Sequence, residues 1–208
     1  MWIRSDDFTD GEPIPGENAL SVIDPHTHIT FASNLNPHLE WGDGPEGVKS
    51  FTLLVIDVDA PSSRDDVNQE GREVPEDLPR TDFSHWVLVD LDPDTTTLQR
   101  GAFSEGVTNR GKPGRSGRPS EGVNDYTGWF VGDPDLDGIY KGYDGPCPPW
   151  NDSLVHRYHF TVYALDVESL GLSGDFTAED VKQAAEGHTL GSAAITGTYT
   201  LNPRLTGH

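Results

Sequence analysis

Runs of apolar residues bounded by turn residues divide the chain into short segments with the character of strands. The two strongest cover residues 50–57 and 85–91, which are rich in branched and aromatic side chains and predict buried, neighbouring strands of one core. Residues 157–165 alternate instead, which predicts a strand with two different faces. One of these faces carries Tyr158, Phe160, Val162 and Ala164. Weaker strand signals lie at residues 29–35 and 194–201.

Helical periodicity is convincing at one place, residues 178–186. Thr177 is suited to be its N-cap, Glu179 and Asp180 place acidic groups in the first turn, and Gly187 is suited to end it. Several strands followed by one late helix predict an all-β sandwich with a few peripheral helices, and they argue against an alternating βαβ fold.

A length of 208 residues suits one domain over residues 1–208. Polar insertions at residues 62–82 and 101–123 predict two long surface loops. Basic residues gather in the second: Arg110, Lys112, Arg115 and Arg118, with Arg100 just before it. Two interpretations of this basic loop, residues 109–119, remain open. It is either a solvated loop or a contact site for an acidic partner or a neighbouring subunit.

The overall charge restricts the classes of partner. Fourteen basic residues against 35 acidic ones give a net charge of −21 at pH 7. Such a surface repels polyanions, so we expect neither nucleic-acid binding nor stable membrane association. The acidic residues are scattered along the chain, which is typical of surface adaptation. Adaptation to a high-salt cytoplasm and membership of a generally acidic proteome both explain this charge.

Cysteine content and the start of the chain bear on location. Cys147 is the only cysteine, which excludes an internal disulfide and a disulfide-stapled secreted scaffold. The first residues lack the basic and apolar segments of a signal peptide, and no apolar run approaches the length of a membrane span. We therefore expect a cytoplasmic protein.

Two local motifs suggest chemistry on their own. His26 and His28 form a His-x-His pair that resembles the opening metal motif of the amidohydrolase family, and strand alternation would place both imidazoles on one side. The rest of that family's pattern is missing, so we expect no metal. Cys147 and His156 could form a thiol nucleophile and its base, but flanking prolines provide no helix N-terminus to lower the thiol pKa. An incidental cysteine is the favoured interpretation.

A third constellation is dispersed over the ends of the predicted strands, where a sandwich can bring polar residues together. It consists of the segments Asp57-Val58-Asp59-Ala60-Pro61, Ser84-His85-Trp86, Gly145-Pro146-Cys147-Pro148-Pro149 and His156-Arg157-Tyr158. In this order and spacing they resemble the phosphatidylethanolamine-binding protein family, also called Raf kinase inhibitor-like proteins, in its bacterial and archaeal branch. The stretch from Tyr143 to Leu165 is the most specific part of the resemblance.

The resemblance implies two packed antiparallel sheets and a ligand pocket without a cofactor. The implied ligand-binding residues are Asp57, Asp59, Pro61, His85, Trp86, Gly145, Pro146, His156 and Tyr158. Two imidazoles, a phenol and turn amides offer donors to an anion, and Trp86 and the prolines offer apolar walls. The implied protein is a non-enzymatic binder of phosphate- or carboxylate-bearing head groups and a candidate regulator of other proteins. A protein partner and a homodimer stay open.

An alternative class is a hydrolase that uses Asp57, His85 and His156 as acid and base. In either class, His85 and His156 are the predicted site residues whose charge changes near neutral pH. With ordinary histidine pKa values of about 6.5, both are expected to be neutral at pH 8 and charged at pH 5.5.

Overall fold

Strands make up most of the regular structure in residues 1–206, which the computed structural model describes. Those strands are β1 (Trp2–Arg4), β2 (Ser21–Asp24), β3 (His28–Phe31), β4 (Leu39–Gly42), β5 (Ser50–Pro61), β6 (Arg80–Leu91), β7 (Thr97–Leu98), β8 (Ser120–Glu121), β9 (His156–Leu165) and β10 (Thr189–Tyr199). The helices are α1 (Tyr126–Trp129) and α2 (Ala178–Ala184), besides a 3₁₀ turn at Gly16–Asn18. None of the helices in this described part is long and apolar enough to cross a membrane.

The strands form two packed sheets and a hairpin. The main sheet has the order β10-β9-β5-β6-β8, the smaller sheet has the order β1-β4-β7, and β2 pairs with β3. All these pairings are antiparallel. The predicted all-β sandwich with few helices is therefore confirmed.

Both faces of the main sheet are covered, which explains the unbroken apolar runs in β5 and β6. One face packs against the smaller sheet, where Leu53, Val55 and Leu88 share a core with Trp41. The opposite face lies under α2 and the segment before it. Its core consists of Leu54, Ile56, Val87, Val89, Phe176, Ala178 and Val181. A strand buried on both sides gains no advantage from polar alternation, so its sequence stays apolar throughout.

Strand β9 keeps the predicted alternation. Tyr158, Phe160, Val162 and Ala164 are fully buried on the side of the smaller sheet. The predicted helix is also present, with Thr177 as a capping-box N-cap whose Oγ1 accepts from the Asp180 backbone N–H. Helix α2 ends at Ala184, two residues before the predicted end. Gly187 follows with φ of +79°, the left-handed conformation that glycine adopts at lowest cost.

Two register shifts between β5 and β6 shape the end of the sandwich. Val55 pairs with Trp86, but the next residue, Ile56, pairs with Ser84, which leaves His85 as an extra residue on β6. Further along, the pairing jumps from Asp57 to Ala60 on β5. Such bulges bend a strand and re-aim side chains, and they are frequent beside functional sites.

Candidate functional site

A small pocket opens where these bulges meet the start of β9, helix α1 and the turn at residues 143–149. It is lined by Asp57, Ala60, Pro61, Phe83, His85, Tyr126, Trp129, Cys147, Pro148, Pro149, His156 and Tyr158. Its cavity volume is about 30 Å³, room for about one or two water molecules. The pocket therefore combines a few convergent polar groups with aromatic and proline walls.

His85 lies on the bulge of β6 and is almost fully buried. Its Nδ1 is 2.7 Å from the carbonyl oxygen of Asp144, whose own backbone N–H donates to the His85 carbonyl at 3.0 Å. A carbonyl oxygen only accepts, so Nδ1 carries the proton and Nε2 is the second, proton-accepting nitrogen. Burial lowers the pKa of His85 and outweighs the neighbouring carboxylates. At neutral pH the ring is uncharged, and Nε2 has no hydrogen-bond partner among the described residues.

His156 has the opposite surroundings. Its Nδ1 lies 2.7 Å from Asp57 Oδ2, and its Nε2 lies 3.0 Å from Asp152 Oδ2. Burial alone would lower the pKa of His156, but the hydrogen bonds to the two carboxylates outweigh it and raise the pKa to about 9. His156 is thus an imidazolium at neutral pH, and both of its N–H groups are committed. The expectation of an ordinary histidine pKa near 6.5 is wrong for this residue.

Two arginines complete the charge balance around His156. Arg80 forms a bidentate pair with Asp152 at 2.6 and 3.0 Å, and Arg157 forms a bidentate pair with Asp59 at 2.8 Å for both bonds. Burial alone would raise the pKa of Asp152 and of Asp59, but these cations hold both values below the usual range. Together with the Asp57 carboxylate and His156, the cluster carries equal numbers of positive and negative charges.

Tyr158 and the aromatic residues form the rest of the wall. The Tyr158 hydroxyl is buried near Asp57 and makes no hydrogen bond of acceptable geometry among the described residues. Tyr126, in contrast, donates to the Gly145 carbonyl oxygen at 2.8 Å. Phe83 packs edge-to-face on Tyr126 with 5.1 Å between ring centroids. The guanidinium of Arg64 covers the ring of Trp129 at 4.1 Å.

Five of the nine predicted ligand-binding residues line this pocket: Asp57, Pro61, His85, His156 and Tyr158. Trp86, the next residue on β6, does not line the cavity. Its indole lies in the core between the sheets, where Nε1 donates to Glu121 Oε1 at 3.0 Å. Asp59 is turned to Arg157 instead of the cavity.

Gly145 and Pro146 form the support behind the pocket wall and do not line the cavity. A side chain at Gly145 would lie 2.2 Å from the carbonyl oxygen of Asn18, so this close approach of two backbones requires glycine. The Pro146 carbonyl oxygen accepts from the Leu20 backbone N–H at 3.0 Å. The residues that follow, Cys147, Pro148 and Pro149, supply the actual rim.

Several residues of the site escaped prediction. Phe83 lies two residues before His85, a spacing that pointed to a shared strand face. Asp152 and Arg80 left no comparable signal, because Asp152 reaches His156 from a loop and Arg80 reaches Asp152 from a strand start that the apolar pattern does not mark. Helix α1, which carries Tyr126 and Trp129, is only four residues long.

Of the two other motifs, the His-x-His pair lies outside the pocket and Cys147 lines it. His26 is in the turn between β2 and β3, so strand alternation does not apply to it, and His28 pairs with Glu70 at 2.7 Å and stacks on Trp150. In residues 1–206 no group of three or more metal-ligating side chains is placed to hold an ion. Cys147 lines the pocket, but burial raises the pKa of its thiol to about 11.

An antiparallel β-sandwich with one small polar pocket at its strand ends defines the class of this protein. The chain belongs to the phosphatidylethanolamine-binding protein family, whose model matches residues 4–200. This match confirms the resemblance drawn from the sequence.

Relatives and solved structures agree with this assignment. The chain is 34% identical to a UPF0098 protein of Methanothermobacter thermautotrophicus, over 84% of the chain and 89% of the relative. It is 31% identical to a UPF0098 protein of Aquifex aeolicus, over 96% and 88% respectively. The crystal structure of Escherichia coli YbcL, described as a member of the mammalian PEBP family, shares the fold at a TM-score of 0.68 and 23% identity, over 96% of this chain and 97% of that one. The Chlamydia trachomatis homologue CT736 gives a TM-score of 0.63 at 28% identity, with 95% of both chains covered.

Proposed function

We propose that this protein is a non-enzymatic binding protein whose pocket takes a phosphate or carboxylate head group. The observation that carries the proposal is that the polar groups of the pocket differ in their hydrogen bonding. His156 is held on both sides by carboxylates, whereas His85 Nε2 and the Tyr158 hydroxyl, on two residues that line the pocket, have no hydrogen-bond partner among the described residues. These two atoms are the hydrogen-bonding groups that a ligand meets.

The sign of the ligand's charge follows from the electrostatics. The charges around His156 already balance, so the carboxylates of that cluster add no net negative charge to the pocket. Protonation of His85 at Nε2 adds one positive charge and turns that nitrogen into a donor. Tyr158 offers a second donor beside it, since its pKa lies well above the ordinary value and its proton stays in place. An anion that accepts from both donors satisfies two buried groups at once.

The same geometry takes two of the three groups of the hydrolase alternative out of use and leaves His85 without an activated nucleophile. A general base needs a free lone pair, and the His156 imidazolium has none. Asp57 is engaged by His156 and by the Asp59 backbone N–H at 2.8 Å. The remaining nucleophile candidate, Cys147, stays a neutral thiol because its pKa is about 11.

Ligand entry requires movement of the wall, because the cavity holds only about one or two water molecules. Helix α1 is the shortest element of the wall, and its half-buried Trp129 lines the cavity. We expect a head group to enter by displacing Trp129 outward, with the rest of the ligand left in solvent.

Calorimetric titration with a phosphate monoester and with acetate at pH 5.5 and pH 8 tests the proposal. Binding should be tighter at pH 5.5, where His85 accepts a proton more readily. His85→Gln should weaken phosphate binding about 10- to 100-fold, the loss of one hydrogen bond to a charged group. His159→Gln on β9 is the matched control, since His159 faces away from the pocket.

Equal affinity in His85→Gln and wild type would contradict the proposal. So would turnover of p-nitrophenyl phosphate or p-nitrophenyl acetate, with or without divalent metal, that disappears in His85→Gln. That result would assign the pocket to a hydrolase.

A further inference from the structure

One lysine of the basic loop has a different role from the loop's arginines. The guanidinium groups of Arg110, Arg115 and Arg118 donate to backbone carbonyl oxygens at the protein surface. The ammonium of Lys112 is turned inward instead, and its side chain is only 14% exposed. It donates to the Tyr143 carbonyl oxygen, to Asp144 Oδ1 at 3.0 Å and to Ser104 Oγ at 3.4 Å.

Asp144 is the centre of this buried network. Its Oδ1 also accepts from Asn34 Nδ2 at 2.9 Å, and its Oδ2 accepts from Asn124 Nδ2 at 2.8 Å. Lys112 is therefore the cation that balances a buried carboxylate, and removal of one partner from such a pair leaves the other uncompensated. Through its backbone, the same Asp144 binds His85 twice, at Nδ1 and at the carbonyl oxygen.

We propose that Lys112 is a positioning residue of the pocket, which holds the Asp144 segment and thereby keeps the His85 imidazole in one tautomer and one orientation. The inference deepens the proposed function, on which its relevance to ligand binding rests. It makes the basic loop a structural part of the pocket, although the loop's arginines lie on the outer surface.

Charged and titratable groups reach His85 from every element packed against it. They are Asp57 on β5, Asp125 and Tyr126 at the start of α1, Asp144 on the turn and Tyr158 on β9. The three carboxylates favour a protonated ring, and Lys112 offsets one of them. The hydrogen bond to the Asp144 carbonyl oxygen favours the protonated ring more than the Asp144 charge does, so release of this segment without Lys112 should lower the His85 pKa further.

NMR titration of the His85 ring in the ligand-free variant Lys112→Met measures this effect. Lys141→Met is the matched control, because Lys141 is a neighbouring lysine of similar exposure, 16%, whose ammonium pairs with Asp175 at 2.8 Å. Its backbone N–H donates to the Lys112 carbonyl oxygen at 2.9 Å, so both variants disturb the same part of the loop. We expect the His85 pKa to fall in Lys112→Met and to stay at the wild-type value in Lys141→Met.

Lys112→Gln, which keeps a donor toward the Tyr143 carbonyl oxygen, takes the place of Lys112→Met if that variant does not fold. An unchanged His85 pKa in the folded variant, or an equal change in Lys141→Met, would overturn the inference. Failure of both Lys112 variants to fold would overturn it too, because Lys112 would then serve the fold as a whole.

Phosphate titration of the same variants separates this inference from the proposed function. If wild-type protein binds phosphate, the pH of half-maximal binding should move downward in Lys112→Met together with the His85 pKa. A pKa change without any phosphate binding in the wild type would refute the anion pocket and leave the positioning role intact. Binding in the wild type without a pKa change in the variant would refute the positioning role alone.

Discussion

The two histidines of the pocket lie on opposite walls and differ in every respect that matters to a ligand. On the wall formed by β5 and β9, His156 bridges two carboxylates and is charged, with its pKa raised to about 9. On the wall formed by the bulge of β6, His85 is neutral and bonded to one backbone carbonyl group. Identical side chains thus serve different purposes. His156 holds two strands and a loop together, and His85 Nε2 has no hydrogen-bond partner among the described residues.

The largest effect on stability should follow from removal of a carboxylate on the wall that contains His156. Asp152→Ala leaves the His156 imidazolium and the Arg80 guanidinium buried without their shared partner. The free energy of unfolding should fall by about 3–5 kcal/mol, the usual cost of breaking a buried ion pair on one side. Urea denaturation at pH 7 measures it.

Asp66→Ala is the control for this change, because Asp66 pairs with Arg72 at the protein surface. Exposed pairs contribute at most about 1 kcal/mol. Equal losses in Asp152→Ala and Asp66→Ala would show that the His156 wall is held together by its packing and not by its charges.

The contributions of His156 and His85 to the pH dependence of stability should have opposite signs. The folded-state pKa of His156, about 9, is higher than the unfolded value of 6.5, so its stabilisation is complete below pH 6.5 and is lost as the pH rises through 9. The difference corresponds to about 3 kcal/mol. His85 acts in the opposite direction, because its lowered pKa makes protonation below pH 6.5 destabilising.

Urea denaturation of wild type and His156→Gln between pH 6 and pH 9.5 tests this account. Wild-type stability should decrease over that interval, and the variant should show a much flatter curve. A wild-type curve that is flat from pH 6.5 to pH 9 would mean that His156 is not a stabilising imidazolium.

The contrast between the walls also explains what the sequence could reveal. The apolar runs of β5 and β6 and the alternation of β9 predicted the three central strands, because burial leaves a direct pattern in residue type. Pairs such as Asp152 with His156, or Lys112 with Asp144, depend on loops that fold back over the sheets, and no periodicity records them. The bulge at His85 is likewise a property of strand pairing and leaves no pattern in the sequence. His85 and Trp86 were therefore both predicted to line the pocket.

Salt should have a smaller effect on stability, and it should act on the charges of the protein surface more than on those of the pocket. A net charge of −21 implies repulsion that monovalent salt screens. We expect a gain of about 1 kcal/mol, or about 2–4 °C in Tm, between low and molar salt. The loss caused by Asp152→Ala should stay nearly constant, because buried pairs are poorly screened. A Tm that is flat or falls with salt would mean that the surface charges are already balanced locally.

The most direct test of the different roles of His85 and His156 is NMR of their ring nitrogens. The signals are followed from pH 5 to pH 9.5, with and without a saturating phosphate monoester. His156 should remain doubly protonated from pH 5 to about pH 8 and should be unaffected by phosphate. His85 should carry its proton on Nδ1, gain a second proton only below pH 6.5 in the free protein, and hold that proton to higher pH when phosphate is bound. A His156 that titrates near pH 6.5, or a phosphate response at His156 with none at His85, would contradict the account.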